Sequence, residues 1–222
     1  MSADPALARR LKGLYAITPE CHDTERLALE VERALEGGAS LVQYRAKHAD
    51  AALALEQGRR LRDLCRAFGA PLIVNDSLHL ALEIAADGVH LGRGDGDVRA
   101  ARAALPGRLI GVSCYDDPAL ARRAAEDGAD YVGIGSVFPS STKPRAVRAA
   151  LDRLSEARQA GAIPVAAIGG ITAANAAVAI SNGADMVAVI SAVFGAPDVR
   201  AAARSIAGLF AVPDPEPLHA RA

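Results

Sequence analysis

Short runs of Val, Ile, Leu and Ala alternate along the chain with longer stretches rich in Ala, Leu, Arg and Glu. The short runs predict eight strands: Leu14–Thr18, Ser40–Arg45, Pro71–Asn75, Gly88–Leu91, Leu109–Cys114, Tyr131–Gly135, Pro164–Ile168 and Met186–Ser191. The stretches between them carry helical patterns, among them Thr24–Glu36, Ala49–Phe68, Pro118–Asp127 and Ala173–Ser181. Strict alternation of this kind implies parallel strands joined by helical crossovers. Strands with so little polar alternation suit a sheet covered on both faces.

One junction recurs. LEGGASLVQ, EDGADYVGI and SNGADMVAV each place Gly at a helix end, then a small residue, a polar one and a strand. Gly takes the left-handed conformation that ends a helix at little cost. Three copies of one joint point to a repeated βα unit, and eight such units close into a (β/α)8 TIM barrel, an α/β fold over 1–211. An open doubly wound sheet is the alternative, although it usually needs fewer strands. The PDPEP stretch opposes regular structure, so 212–222 is expected to be a flexible tail.

Composition narrows the class. The chain has 222 residues, 51% of them hydrophobic and 23% charged, which suits a globular protein with a sizeable core. A formal net charge of −1 gives no overall attraction to nucleic acid or to a membrane surface, so any anion site has to be local. Cys21, Cys65 and Cys114 form no CxxC or Cys/His cluster, which favours a reducing compartment over a disulfide or zinc framework. The apolar run behind Arg9 and Arg10 is short for a signal core, and no stretch is long enough to span a bilayer. A cytoplasmic protein is the expectation.

The candidate chemistry clusters at predicted strand exits. Catalytic groups of a barrel enzyme stand at the C-terminal ends of its strands. The second strand leaves through LVQYRAK, where Gln43, Arg45 and Lys47 share one orientation by alternation and Tyr44 takes the other. Snorkelling side chains at a solvated strand end explain that row about equally well. Asn75, Asp76 and Asp95 follow the third and fourth strands. Asp76 alone reads as a helix N-cap and Asp95 alone as a turn residue. Together, beside a basic row, the two carboxylates suggest a magnesium–phosphate site, because Mg²⁺ takes one or two carboxylates plus phosphate oxygens and water. The loop GSVFPSSTKPRAVRA offers Ser140, Ser141, Thr142 and Lys143 between stiffening prolines. Gly169 and Gly170 after the seventh strand, and Ile190 and Ser191 after the eighth, lie where this fold usually binds phosphate; the two glycines allow close approach to the backbone. The histidines show no ligand spacing and read as structural or solvated. Cys114 reads as packing.

QYRAK (43–47), VND (74–76), HLGRGD (90–95), GVS (111–113), VFPSSTK (137–143), AIGGIT (167–172) and VIS (189–191) occur in an order and spacing that resemble the thiamine-phosphate synthase family over Leu14–Leu209. The resemblance implies a transferase of thiamine biosynthesis. Hydroxymethylpyrimidine pyrophosphate and hydroxyethylthiazole phosphate are condensed to thiamine phosphate with release of pyrophosphate, and Mg²⁺ is required.

It further implies residue roles. Gln43, Tyr44, Arg45, Ala46, Lys47, Asn75, Ser113 and Lys143 meet the pyrimidine substrate and its pyrophosphate. Asp76 and Asp95 hold Mg²⁺, and Ser140 to Thr142, Gly170, Ile190 and Ser191 cradle the thiazole phosphate. Arg45, Lys47, Ser113 and Lys143 are the expected catalytic groups. Small-molecule partners are expected, with no nucleic acid and no membrane, and the reading admits a homo-oligomer. Two positions depart from the commoner pattern: Ser140 stands where many members have Thr, and Tyr115 where many have His. The intact acidic and Phe-Pro-x-x-Thr-Lys motifs weigh against a thiazole tautomerase and against a phosphate-binding regulator on the same barrel.

Overall fold

A computed structural model describes residues 3–139 and 147–210. The expected tail at 212–222 and the predicted site residues Ser140, Ser141, Thr142 and Lys143 lie outside the described residues. The strands are β1 Gly13–Ile17, β2 Ala39–Tyr44, β3 Leu72–Asn75, β4 Gly88–Leu91, β5 Leu109–Tyr115, β6 Tyr131–Ile134, β7 Val165–Ile168 and β8 Met186–Val189. Each pairs in parallel with the next, and β8 returns to β1 to close the barrel. The helices are α1 Pro5–Ala8, α2 Thr24–Glu36, α3 Ala51–Ala67, α4 Leu78–Glu83, α5 Val98–Ala104, α6 Pro118–Glu126, α7 Asp152–Gly161, α8 Ala176–Ser181, α9 Ser191–Phe194 and α10 Val199–Ala207. Among the described residues no helix is long and apolar enough to cross a membrane.

Short polar side chains decide where the helices begin. Asp23, Asp50, Asp97, Asp117 and Asp198 each accept a hydrogen bond from a backbone N–H in the first turn of the helix that follows. Ser77 does the same for α4, so the helix cap foreseen at Asp76 falls one residue later. At the other ends, Gly38, Gly128 and Gly183 sit at φ near +100°, the conformation for which the recurring joint selects glycine.

Alternation along the strands divides the apolar residues into two cores. Val42, Tyr44, Val74, Val89, Ile110 and Cys114 face outward into the layer between sheet and helices. Tyr15, Ile17, Leu41, Ile73, Leu109, Tyr131, Met186 and Ala188 fill the barrel interior, and Leu11 belongs to the same cluster. Burial pushes the Cys114 thiol up to about 12, so it is inert at neutral pH and serves as packing.

The polar residue of the recurring joint, and Asp87 at the entry of β4, have a specific task. Ser40 donates to the Leu14 carbonyl, while Asp87, Asp130 and Asp185 accept from the N–H of Leu72, Ile110 and Val165. Each bond ties the entry of an even-numbered strand to that of the odd-numbered strand before it. The barrel is thus pinned two strands at a time, at the end opposite the mouth. Two of the three acids carry a cation as well: Arg158 pairs with Asp185, and Arg102 with Asp130. The Arg102–Asp130 pair is nearly enclosed, with side-chain exposures of 11% and 10%. Arg102 also donates to the carbonyls of Leu105, Arg108 and Gly128. Removing one partner strands a buried charge, which costs more than a surface ion pair returns. Asp130→Ala is expected to destabilise the protein by about 3 kcal/mol, and Ser40→Ala by about 1 kcal/mol. Denaturant midpoints at unchanged m-value check both.

Candidate active site

At the C-terminal end of the strands the barrel opens into a cavity of about 650 Å³, lined by residues of all the strands. Its floor is neutral and hydrogen-bonded. Gln43, only 3% exposed, points inward from β2 and donates to the Tyr15 hydroxyl at 2.7 Å. The Tyr15 and Tyr131 hydroxyls meet at 2.7 Å, with their rings edge to face. Tyr131 reaches His90 Nδ1 at 3.1 Å, and His90 Nε2 reaches the Ser113 hydroxyl at 2.9 Å. Burial raises both phenols well above the usual tyrosine range, so they remain protonated.

The rim is charged. Beyond the end of β2, Thr18 and Glu20 from the β1 exit hold the chain. The Arg45 N–H donates to Thr18 Oγ1 at 2.9 Å, and the Lys47 N–H to Glu20 Oε1 at 2.9 Å. The same Glu20 oxygen pairs with the Arg45 guanidinium at 3.3 Å. Lys47 turns toward β3, with its Nζ 3.1 Å from Asp76 Oδ2.

Asp76 stands at φ 64°, a left-handed conformation in which a non-glycine residue is uncommon. Its N–H donates to the His90 carbonyl at 2.8 Å, which anchors it across the β3–β4 gap. Asp95 lies in the turn after β4, where Oδ2 accepts the Gly92 N–H at 2.9 Å. The turn foreseen there exists, and it delivers the carboxylate to Asp76. Burial works to raise Asp76, but hydrogen bonds from Lys47 and toward Asp95, with the Lys47 charge, outweigh it and leave Asp76 below the usual range. Burial, and then the hydrogen bond with Asp76, raise Asp95. Two carboxylates this close compete for one proton unless a cation neutralises them.

The structure narrows several expectations. Tyr44 points away from the mouth: its hydroxyl donates to Gln57 Oε1 of α3 at 2.8 Å within the outer core, because a residue after an inward Gln43 must face out. Any contact it makes with a ligand is confined to its main chain. Ala46 packs against the outer core as well. Gly169 and Gly170 line the cavity, at φ 100° and 62°. The space beside them is filled by the loop after β6, since a Cβ on Gly169 would collide with Ser136, and one on Gly170 with the Pro139 carbonyl. Their lack of side chains serves that loop contact and their backbone conformation. Ile190 and Ser191 line the cavity at the start of α9, as do Arg45, Asn75 and Ser113.

Four lining or bracing residues carry no clear signal in the sequence. His90 faces the interior because Gly88, His90 and the inward Asn75 share one pleat direction; a lone histidine between Val89 and Leu91 gives no hint of that. Glu20 organises the β2 exit through the chain reversal after β1. Tyr115, at φ 56°, accepts from the Arg93 N–H at 2.9 Å, and the Arg93 guanidinium lies 4.9 Å above its ring. Both of these line the mouth. A cation–π contact between neighbouring strand exits has no sequence spacing to read.

The family profile described as thiamine monophosphate synthase matches residues 14–193. The chain belongs to the thiamine-phosphate synthase family. It is 55% identical over 202 residues to the thiamine-phosphate synthase of Aromatoleum aromaticum, covering 90% of this chain and 97% of that one. It is 56% identical over 205 residues to the enzyme of Thiobacillus denitrificans, covering 92% and 97%. Among solved structures it is similar to thiamine phosphate pyrophosphorylase from Pyrococcus furiosus, at 40% identity and a TM-score of 0.81, covering 92% of this chain and 97% of that one. A 3-hexulose-6-phosphate synthase at 19% identity and a TM-score of 0.65 shares the fold. Family membership makes the chain a transferase, and its QYRAK, VND and HLGRGD motifs meet at the charged rim.

Lys47 holds down both acids, since its charge lowers Asp76 and also Asp95. Lys47→Met is expected to move both carboxyl titrations to higher pH in metal-free protein. Carboxyl ¹³C shifts followed against pH check this; unmoved titrations would show that Lys47 does not reach the pair.

Proposed function

We propose that this mouth joins hydroxymethylpyrimidine pyrophosphate to hydroxyethylthiazole phosphate, releasing pyrophosphate and forming thiamine phosphate. The observation that carries the assignment of roles is the meeting of Arg45, Lys47, Asp76 and Asp95 on one rim above a neutral, enclosed floor. A diphosphate placed against the cations leaves its organic half over the floor, where Gln43 and Asn75 can read a heteroaromatic ring.

The acidic pair fits magnesium. It is a two-carboxylate donor set, and among the described residues no group of three or more His, Cys, Asp or Glu gathers into an all-protein cage. Magnesium prefers that arrangement, with phosphate oxygens and water completing its shell. Asp76 and Asp95 would hold the ion, which supplies positive charge to the leaving pyrophosphate. Lys47 already supplies such a charge beside Asp76.

The chain's own groups do the rest. Arg45, Lys47 and Lys143 stabilise charge that grows on the pyrophosphate as its bond to the pyrimidine methylene carbon breaks, an electrostatic role that usually dominates such steps. The methylene carbon becomes a cation stabilised by the pyrimidine ring, so no protein nucleophile is required. The thiazole nitrogen attacks it, held in place through the thiazole phosphate by Ser140 to Thr142, Gly170, Ile190 and Ser191. Exclusion of water protects the cation, and the Ser/Thr/Lys loop is the candidate cover.

The decisive assay follows pyrophosphate release with both substrates present. Release that requires Mg²⁺ and the thiazole phosphate is the expected result; a tautomerase or a phosphate-binding regulator releases none. Asp76→Ala and Asp95→Ala are expected to raise the Mg²⁺ concentration needed for half-maximal rate by about tenfold or more, the scale of losing one determinant of a metal site. Lys143→Ala is expected to lower kcat by about 100-fold. Magnesium titrations identical to wild type would reduce the two acids to local structural roles.

A further inference from the structure

The floor of the mouth is a continuous chain, Gln43–Tyr15–Tyr131–His90–Ser113, drawn from β2, β1, β6, β4 and β5. We propose that this chain is polarised in one direction and that Tyr15, Tyr131 and His90 are positioning residues, which keep the Ser113 hydroxyl available to donate to the leaving pyrophosphate. The inference rests on the reaction proposed above.

The direction follows from counting donors. An amide nitrogen cannot accept, so Gln43 donates to the Tyr15 oxygen. Of the two groups bonded to the Tyr15 hydroxyl, Gln43 Nε2 cannot accept, so Tyr131 is the one that can take the Tyr15 proton; Tyr131 in turn passes its own proton to His90 Nδ1. A neutral imidazole that accepts on Nδ1 carries its proton on Nε2 and donates it to Ser113. Ser113 accepts that bond and keeps its own proton for the cavity, which it lines. Run the other way, the chain would consume the Ser113 proton on His90 and turn an oxygen lone pair toward an anion. Both ends therefore favour one polarity: an amide nitrogen that can only give, and an anionic ligand that accepts.

The chain is a built feature of the barrel. A Cβ on Gly111 would collide with the Tyr131 ring, with its hydroxyl and with His90 Nδ1, so the meeting of the last two depends on glycine at that position. Among the described residues no buried side-chain nitrogen or oxygen lacks a partner, so both phenol hydroxyls are committed. In a low-dielectric floor such bonds polarise one another, and deleting one changes the next.

Two measurements test the proposal. The first is the tautomer of His90 in the wild-type protein, read by long-range ¹H–¹⁵N correlation on ¹⁵N-histidine-labelled protein and assigned with His90→Gln. A proton on Nε2 alone is expected; a proton on Nδ1 alone, or on both nitrogens, overturns the polarity. The second is a double-mutant cycle on kcat. Ser113→Ala is expected to lower kcat by about 100-fold. Tyr131→Phe, which keeps the ring and removes the hydroxyl, is expected to lower it by about tenfold in the wild-type background and by less than twofold in the Ser113→Ala background. Equal factors in the two backgrounds, or no effect in the first, overturn the positioning role. If Tyr131→Phe fails to fold, Tyr15→Phe takes its place, and the tautomer still decides the polarity. Wild-type protein that releases no pyrophosphate, with His90 protonated on Nε2, overturns the proposed reaction and leaves the polarity standing.

Discussion

Parallel closure is the constraint from which the rest follows. When eight strands run the same way and β8 pairs with β1, every strand ends on one rim and every strand begins on the other. The entry rim then has to be fastened, and the exit rim is free to carry chemistry. Ser40, Asp87, Asp130 and Asp185 do the fastening, at one joint for every second strand. Polar residues with similar local sequence surroundings serve stability at one end and ligands at the other, and only the direction of the strand decides which.

The mouth combines two electrostatic regimes. Its floor is buried, neutral and internally satisfied, because an unpaired polar group there would cost more than a made hydrogen bond returns. Its rim keeps partial contact with water: Lys47 is 45% exposed and Asp76 29%. Charges can therefore stand on the rim without the desolvation penalty of the interior. A substrate with an anionic end and a flat, weakly polar end matches that division. Asp76 and Asp95 form the strained element of the rim: burial and the Asp76 carboxylate, itself held low beside Lys47, make Asp95 harder to ionise, and the Lys47 charge and the Gly92 N–H only partly offset this.

Much of this was legible along the chain, for identifiable reasons. The eight strands were readable because a sheet covered on both faces needs uninterrupted apolar runs. Asp76, Asp95, Arg45 and Lys47 stood out because ionisable residues at the end of such runs are hard to explain by packing alone. The resemblance names Tyr44 within a motif without giving a side-chain direction; the pleat sends its hydroxyl to Gln57 and leaves only its main chain toward the mouth. Gly169 and Gly170 were read as allowing close approach to the backbone; both line the cavity, and the neighbouring loop fills the space where their side chains would stand.

The sequence by itself determined the order and direction of the strands, the helix starts at Asp and Ser caps, the glycine joints and the set of charged residues near the strand exits. These are local properties, written in apolar periodicity and in the conformational limits of single residues. Tertiary structure alone decided which side chains share the interior. His90 meets Tyr131 and Ser113 across 41 and 23 residues of chain. Tyr15 meets Tyr131 across 116. Glu20 finds Arg45 and Lys47 only where two strands end together. Such meetings depend on barrel register and on the absence of a side chain at Gly111, and no periodicity in one strand records what stands opposite it inside a closed sheet.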